Sequence, residues 1–269
     1  MDPRPARRIR LTVAYDGADF AGWQVQPGLL TIQGELERVL ALIEGAPVAV
    51  AGSGRTDAGV HAEAQIAACT LHNPIPEPNL RMAMNRLLPR SIRVLDAREV
   101  HAGFHPRFDA IAKLYEYRIW RDEICPPLRR FGVYHYPYPL DEARMIALAP
   151  LFEGEHDFSA FAAADEKDAL GHSKVRRIFC SRLAREGPEL VYQVRGSGFL
   201  KHMVRMLVGA LLEAGKGNLD AAALHARLAP GFPGKAGPAV PGRGLRLVRV
   251  EYPPVASPPG GDPGPVPAC

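Results

Sequence analysis

Residues 31–45, TIQGELERVLALIEG, predict the first helix of the chain, and the segments on either side of it decide the fold class. Thr31 is a favourable N-cap because its hydroxyl can accept a hydrogen bond from a free backbone N–H of the first turn. Gly45 is a typical helix stop. Between them, apolar residues recur at helical spacing, at Ile32, Leu36, Val39, Leu40 and Ile43. The pattern therefore predicts a helix that begins after Thr31 and ends at Gly45.

Strand-like segments lie on both sides of this helix. Ile9–Tyr15 alternates, with Leu11, Val13 and Tyr15 on one face. Three further strands are predicted over Val48–Ala51, Ala64–Leu71 and Ile92–Val100, and a second helix over Pro78–Leu88. The resulting order, β-α-β-β-α-β, is the ferredoxin-like arrangement that RNA-recognition domains also use. We therefore expect an N-terminal ferredoxin-like α/β domain over residues 1–105.

The second half repeats this theme in a less regular form. The predicted elements are strands over 113–120 and 244–252, helices over 141–152, 199–214 and 219–228, and a hairpin of 174–185 with 190–195. They predict a second α/β domain over 106–252, with a cleft between the two domains. Residues 229–242 hold four prolines and four glycines, too many for a helix or strand. The Pro/Gly-rich tail at 253–269 is expected to be disordered.

The composition is that of an ordinary folded protein, with 47% hydrophobic and 23% charged residues. No apolar run is long enough for a transmembrane helix, and the N-terminus does not resemble a signal peptide. A cytoplasmic location without membrane contact is therefore expected. The net charge of +4 is modest, yet basic residues cluster within 4–10 and 174–177. Such runs either solvate a surface or meet the phosphates of a nucleic acid.

The densest polar motif is Gly52-Ser53-Gly54-Arg55-Thr56-Asp57-Ala58-Gly59-Val60-His61. Its glycines allow positive φ angles and close approach to a ligand, and a guanidinium, a hydroxyl and a carboxylate extend from one short loop. A Rossmann phosphate loop is a weak match because Asp57 takes the place of the third glycine. A Walker A loop fails because no Gly-Lys-Ser/Thr end follows. The residues alone leave two interpretations open, a functional loop or a tight turn in which Asp57 pairs with Arg55.

Several motifs, in order, resemble the TruA-type tRNA pseudouridine synthases over residues 10–252. Arg55–His61 resembles the signature that carries the catalytic aspartate of that family. The other matching motifs are Tyr15-Asp16-Gly17 with Gly22-Trp23-Gln24, Phe104–Phe108, Lys113–Tyr117, His202–Arg205 with Val208-Gly209, and Gly244-Leu245 before the last strand.

The resemblance implies an isomerase that breaks the C1′–N1 bond of a uridine, turns the base and rejoins C1′ to C5. No redox change occurs and no atoms are lost, so neither a metal nor an organic cofactor is expected. Asp57 is the implied catalytic residue, and attack at C6 of the base or at C1′ of the ribose both stay open. Members of the family act on positions 38, 39 and 40 of the anticodon stem-loop and work as homodimers. The expected partners are therefore tRNA and a second copy of the chain.

The resemblance also implies three substrate-binding residues, Tyr115, Arg55 and Arg205. Arg205 interrupts an apolar helix, and its guanidinium would keep Asp57 ionised; the alternative is a cation that reaches solvent. Tyr115 would stack on the flipped uracil, and Arg55 would fill the space that the base leaves. From the pattern alone Tyr115 could instead face the core, and Tyr117, on the same face of the strand, competes for its role.

Three further residues carry open questions. Lys201 stands where the family often has histidine, which adds a charge beside the expected site. Pro106 replaces a commoner small residue, and neither change removes a catalytic group. Trp23 either packs against its own loop or touches RNA, and the sequence does not separate the two.

Two other classes of protein fit the sequence less well. His101 and His105 are four residues apart, as in a metal-dependent hydrolase, but Gly103 and Pro106 disfavour a helix there and no HExxH glutamate is present. An RNA-binding module without activity would carry aromatic runs on its central strands, and these are absent.

Overall fold

The computed structural model describes residues 5–164 and 171–253. The chain divides into two compact units, one formed up to Ala110 together with Arg246–Val250, the other by Ile111–Leu245 and from Glu251 onward. Both units contain strands and helices, so the predicted mixed α/β class is confirmed. Within the described ranges, none of the helices combines the length and the apolar character needed to cross a membrane.

The first unit has the predicted order β-α-β-β-α-β. Its strand β1 pairs antiparallel with both β3 and β4, and β2 pairs antiparallel with β3. A last strand, β10, pairs parallel with the start of β3, with Arg246 opposite His61. The elements are β1 (Arg7–Tyr15), α1 (Ile32–Glu44), β2 (Ala51–Gly52), β3 (His61–Leu71), α2 (Glu77–Leu87), β4 (Ile92–Val100) and β10 (Leu245–Glu251).

Helix α1 has the predicted caps. The Thr31 hydroxyl accepts from the Gly34 N–H at 3.2 Å. Gly45 takes φ 81° and donates its N–H to the Ala41 carbonyl at 2.9 Å. The apolar side chains Ile32, Leu36, Val39 and Leu40 are buried. The local sequence therefore determines both ends of this helix.

Strand β2 is shorter than predicted and begins later, at Ala51 instead of Val48. The backbone of Val50 explains the difference, because it bonds to α1 and not to a neighbouring strand. Its N–H donates to Glu37 Oε1 at 3.0 Å, and its carbonyl accepts from Gln33 Nε2 at 3.0 Å. Helix side chains thus replace the strand ladder at this point.

The second unit carries a four-stranded path in the order β5-β9-β8-β7, with β6 paired parallel to β5. Neighbours along the path are antiparallel. The β8–β9 hairpin is confirmed, with Glu186 opposite Glu189 and Gly187 at φ 56°. The short strands β6 and β7 were not predicted. The elements are β5 (Ala112–Trp120), β6 (Tyr134–His135), α3 (Glu142–Leu148), β7 (Gly154–Asp157), β8 (Val175–Glu186), β9 (Glu189–Gly196), α4 (Met203–Gly215) and α5 (Ala221–Leu228).

Two predicted helices are shorter than the apolar pattern suggested. Helix α3 gives way to a 3₁₀ turn over Ala149–Phe152, where Pro150 lacks the N–H that an α-helix needs. Helix α4 begins at Met203 and not at Phe199, because His202 takes a left-handed φ of 61°. Among the described residues, His202 is the only non-glycine with positive φ.

The segment 229–242 is irregular, as predicted, yet it packs against the helices of its unit. Ala236 and Val240 are each 5% exposed. Gly209 of α4 allows this approach, since a Cβ there would lie 1.9 Å from the Pro238 carbonyl oxygen. The prediction for the tail at 253–269 concerns residues that, apart from Pro253, lie outside the described ranges.

Candidate active site

The loop 53–60 between β2 and β3 is fixed by buried polar contacts. Ser53 donates its N–H to the Ile66 carbonyl at 2.7 Å, and its hydroxyl donates to Gln65 Oε1 at 2.5 Å. The Gln65 amide in turn donates to the Gly54 carbonyl at 3.0 Å. The Thr56 hydroxyl shares a 2.9 Å hydrogen bond with the Tyr15 hydroxyl, and burial raises the pKa of Tyr15. This loop is therefore held in one conformation.

The N-terminal loop after β1 holds the same segment from the other side. The Trp23 N–H donates to the Thr56 carbonyl at 3.0 Å, and the Gly59 N–H to the Phe20 carbonyl at 3.4 Å. The Trp23 ring is 2% exposed and lies directly over Gly52, where a Cβ would come within 2.6 Å of it. Trp23 is thus a packing residue, which resolves the question that the sequence left open.

Gly22 offers a stability test of this contact between loops. It has φ 100°, and a Cβ there would lie 2.7 Å from the Thr56 carbonyl oxygen. Gly28 also has positive φ, at 73°, with nothing within 4 Å. We expect Gly28→Ala to cost about 1–2 kcal/mol of backbone strain. Gly22→Ala should cost about 1–3 kcal/mol more because its methyl group meets backbone. Urea unfolding measures both, and equal losses would contradict the described contact.

Asp57 is the carboxylate of this loop. Its side chain is half-buried, between buried Thr56 and exposed Ala58, and its carbonyl accepts from the Val60 N–H at 3.1 Å. Arg55, two residues earlier, is exposed. The structure therefore places a partly accessible carboxylate and an exposed guanidinium on one rigid loop of the first unit.

His61 and Asp16 were not predicted as part of the site, although both lie within the family-like motifs. The Gly17 N–H donates to His61 Nδ1 at 3.1 Å, and Asp16 Oδ1 lies 3.0 Å from the same nitrogen. Gly17 itself is required, since a Cβ there would lie 2.0 Å from the Val60 carbonyl oxygen. These contacts join the two loop motifs into one structure.

Tyr115 and Tyr117 of β5 differ in their surroundings. Tyr115 is 8% exposed and packs edge-on against Phe199, with ring centroids 5.0 Å apart. Tyr117 is fully buried, and its hydroxyl donates to the Pro241 carbonyl at 2.8 Å. Burial raises the pKa of Tyr117, with Arg205 among the nearby charges that oppose the shift. Tyr117 thus serves the core, which leaves Tyr115 as the better candidate for contact with a base.

The Tyr117 hydroxyl therefore has a structural role that can be measured. Tyr117→Phe should lower the free energy of unfolding by about 1–2 kcal/mol, because the half-buried Pro241 carbonyl loses the hydrogen bond from the Tyr117 hydroxyl. Turnover should change little. Tyr138→Phe, at a ring that is 65% exposed, is the control and should stay within about 0.5 kcal/mol of the parent. A Tyr117→Phe variant with normal stability and reduced turnover would instead assign the substrate contact to Tyr117.

Arg205 lies in the first turn of α4 and is half-buried. Its Nε donates to the Val240 carbonyl at 2.7 Å, and the Val240 N–H returns a bond to the Arg205 carbonyl at 3.3 Å. This reciprocal pair fixes the base of the guanidinium group. Within the second unit, Arg205, Tyr117 and the 229–242 segment therefore form one packed group. The part played by this segment was not predicted.

The two histidines of the hydrolase alternative are used in separate ways. His101 packs edge-on against Phe104 at 6.1 Å. His105 Nδ1 accepts the backbone N–H groups of Arg107 and Phe108 at 3.1 and 3.3 Å, and its ring stacks on Phe108 at 4.3 Å. Over the described part of the chain, no three His, Cys, Asp or Glu side chains are grouped as metal ligands.

The basic run at the N-terminus is largely engaged within its own unit. Arg7 forms a 2.7 Å ion pair with Glu99, and Arg8 Nε donates to the Phe104 carbonyl at 3.1 Å. Arg4 lies outside the described residues. The later run, at the start of β8, lies on the surface of the second unit.

Fold and loop together define a mixed α/β protein with a rigid loop that presents one aspartate. A family model described as tRNA pseudouridine synthase matches residues 11–109 and 148–253. The chain therefore belongs to the tRNA pseudouridine synthase family, and the expectation of an isomerase that forms pseudouridine in tRNA is confirmed at this level.

Curated relatives are similar in sequence to nearly the whole chain. A tRNA pseudouridine synthase A of Solibacter usitatus is 62% identical over 246 residues, which cover 91% of this chain and 100% of the relative. Enzymes of the same name from Geobacter sp. and Halalkalibacterium halodurans are 43% and 45% identical, over 92% and 89% of this chain and 99% and 90% of their own lengths. A solved Cbf5-Nop10-Gar1 complex is only distantly similar, with a TM-score of 0.38 and 13% identity over 89% of this chain and 48% of that chain.

Proposed function

We propose that this chain converts uridine to pseudouridine at positions 38, 39 and 40 of tRNA, with Asp57 as the catalytic residue. The observation that carries the proposal is the position of Asp57, half-buried on a loop whose neighbours Ser53, Thr56 and Val60 are buried and bonded. A carboxylate held in this way can act on a base or ribose without first ordering its loop.

Three residues would complete the chemistry. Arg205 would stabilise the charge of Asp57, and its fixed Nε supports that role because little side-chain entropy remains to be lost. Arg55, exposed on the loop, would enter the RNA where the base leaves. Tyr115 would stack on the flipped base, which requires that tRNA binding expose more of its ring than the present 8%.

The positions are tested by mapping pseudouridine in an unmodified tRNA after incubation with the protein. The proposal expects product at 38, 39 or 40 and none elsewhere in the anticodon stem-loop. Product at other positions only would refute this assignment and leave the family membership intact.

We further propose that each chain has two domains, residues 1–105 and 106–252. Two such chains would form a homodimer in the cytoplasm. Action on several neighbouring positions favours recognition of the shape and backbone of tRNA, which a symmetric dimer with two positive surfaces would provide. Light scattering is the test. A mass twice that of the 29.3 kDa chain supports the dimer, and a single-chain mass at all concentrations contradicts it.

A further inference from the structure

We propose that Lys113, Arg176 and Lys201 of the second unit form a phosphate-binding rim that seats the tRNA backbone beside Tyr115. The inference rests on the proposed role of Tyr115. It adds a set of side chains that would hold the nucleotides flanking the target. These three residues together are called the rim.

Strand register places two of the rim residues on the face that carries Tyr115. Gly196 of β9 lies opposite Lys113 of β5 and opposite Ile178 of β8. Residues directly opposite in a sheet share a face, and so do residues two apart along a strand. Lys113 therefore shares a face with Tyr115, and Arg176 shares that face with Ile178.

The surroundings of Gly196 show which side chains meet on this face. A Cβ there would lie 2.8 Å from Ile178 Cδ1 and 3.2 Å from Phe199 Cζ. The Phe199 ring thus lies over Gly196, and it is the same ring that packs against Tyr115. Phe199 connects Tyr115 with the strand end at which Lys113 and Arg176 lie.

Arg176 is held against the turn that carries Phe199. Its Cδ and Nε lie 3.9 Å from the Cβ position of Gly198. Its Nη1 donates to the carbonyls of Ser173 and Val175, at 2.9 and 2.6 Å. These bonds fix where the guanidinium lies before any ligand arrives, so little entropy is lost when a phosphate binds.

Lys201 supplies a further charge from the same turn. It follows Phe199 by two residues, and its side chain is exposed. Its carbonyl accepts from the Ala163 N–H at 3.0 Å, and the left-handed backbone of His202 begins α4 directly afterwards. The turn is therefore fixed where it joins α4, and its exposed lysine places a cation within two residues of Phe199, the partner of Tyr115.

Backbone phosphates are the ligand that this arrangement fits. The substrate of the family is a polyanion, and cations beside an aromatic side chain provide the two contacts that a nucleotide offers, phosphate and base. Each neutralised phosphate steepens the dependence of log K on log salt by about 0.7–0.9. The contribution of the rim to tRNA binding can therefore be measured from the salt dependence, one phosphate at a time.

The test compares Lys201→Gln and Arg176→Gln with Lys216→Gln, between about 50 and about 200 mM salt. Lys216 lies at the far end of α4 and pairs with Glu213 at 2.8 Å. Lys216→Gln removes the same net charge from the same unit. Each rim variant should lower the slope of log K against log salt for binding of unmodified tRNA by about 0.7–0.9, and the double variant by about twice that. The kinetic effect should fall on KM rather than on kcat. Lys216→Gln should keep the parent slope.

Two further variants keep the outcome interpretable. Arg176→Lys keeps the charge and should keep most of the slope, even if Arg176→Gln disturbs the turn. Tyr115→Leu tests the proposed site separately, because its loss of turnover does not depend on the rim. Equal slopes for the rim variants and Lys216→Gln would overturn the rim alone, whereas normal turnover of Tyr115→Leu would overturn the proposed role of Tyr115.

Discussion

Replacing Asp57 by asparagine should lower the rate of pseudouridine formation by at least about 10⁴-fold, with tRNA binding close to that of the parent. Asparagine has nearly the same shape but carries no negative charge, so it can neither attack the substrate as a carboxylate nor stabilise a developing positive charge. The backbone bonds of the loop, from Trp23 to Thr56 and from Val60 to Asp57, do not use the carboxylate and should persist. Pseudouridine formed at saturating tRNA is the measured quantity.

Asp96→Asn is the matched control for this change. Asp96 belongs to β4 of the same unit, and its side chain is 44% exposed in an ion pair with Arg98. The control removes an equal charge at the surface and should keep full turnover. A comparable loss in both variants would point to a general effect of charge and would argue against a catalytic Asp57.

The second large effect is expected at Arg205. Arg205→Met keeps much of the side-chain volume in α4 but removes the charge and the bond from Nε to the Val240 carbonyl. If the guanidinium stabilises the charge that develops during reaction, turnover should fall by about 10²–10³-fold. Arg205→Lys should recover only part of the rate, because lysine restores a point charge without the fixed fork. Single-turnover rates measure these effects.

Arg227→Met controls for the loss of a half-buried arginine in the same unit. Arg227 donates to a carbonyl of its own helix, that of Ala223, at 2.7 Å, and its guanidinium lies 5.2 Å from the Phe232 ring. The change should affect stability and leave turnover close to that of the parent. Should Arg205→Met retain turnover while losing stability to the same degree as Arg227→Met, Arg205 would be a packing residue only.

The helices and strands that follow from the sequence are those whose signals are local. Thr31 and Gly45 mark the ends of α1 because capping depends on a few neighbouring backbone groups. The start of α4 follows a different rule. The apolar run from Phe199 continues the helical pattern, but the left-handed backbone of His202 breaks it. Histidine is enriched among non-glycine residues with positive φ, yet such residues are so uncommon that this preference is too weak to predict the break.

The same difference between local and distant signals applies to the candidate site. The Asp57 loop stands out in sequence because its glycines and polar residues are adjacent. The separation of Tyr115 from Tyr117 could not be predicted, since both lie on one face of β5. It depends on the Pro241 carbonyl, 124 residues away from Tyr117 along the chain. The packed state of the 229–242 segment was hidden for a similar reason, because Gly209 permits it from another element.

We propose that Asp57 carries out the isomerisation. A single-turnover experiment tests this role, in which parent and Asp57→Asn proteins are each mixed in excess with the same unmodified tRNA. Equal tRNA occupancy, checked by binding, removes affinity from the comparison. Complete conversion by the parent, with no pseudouridine from Asp57→Asn, is the predicted result. Conversion by Asp57→Asn at a rate near that of the parent would contradict the assignment of the chemistry to this residue.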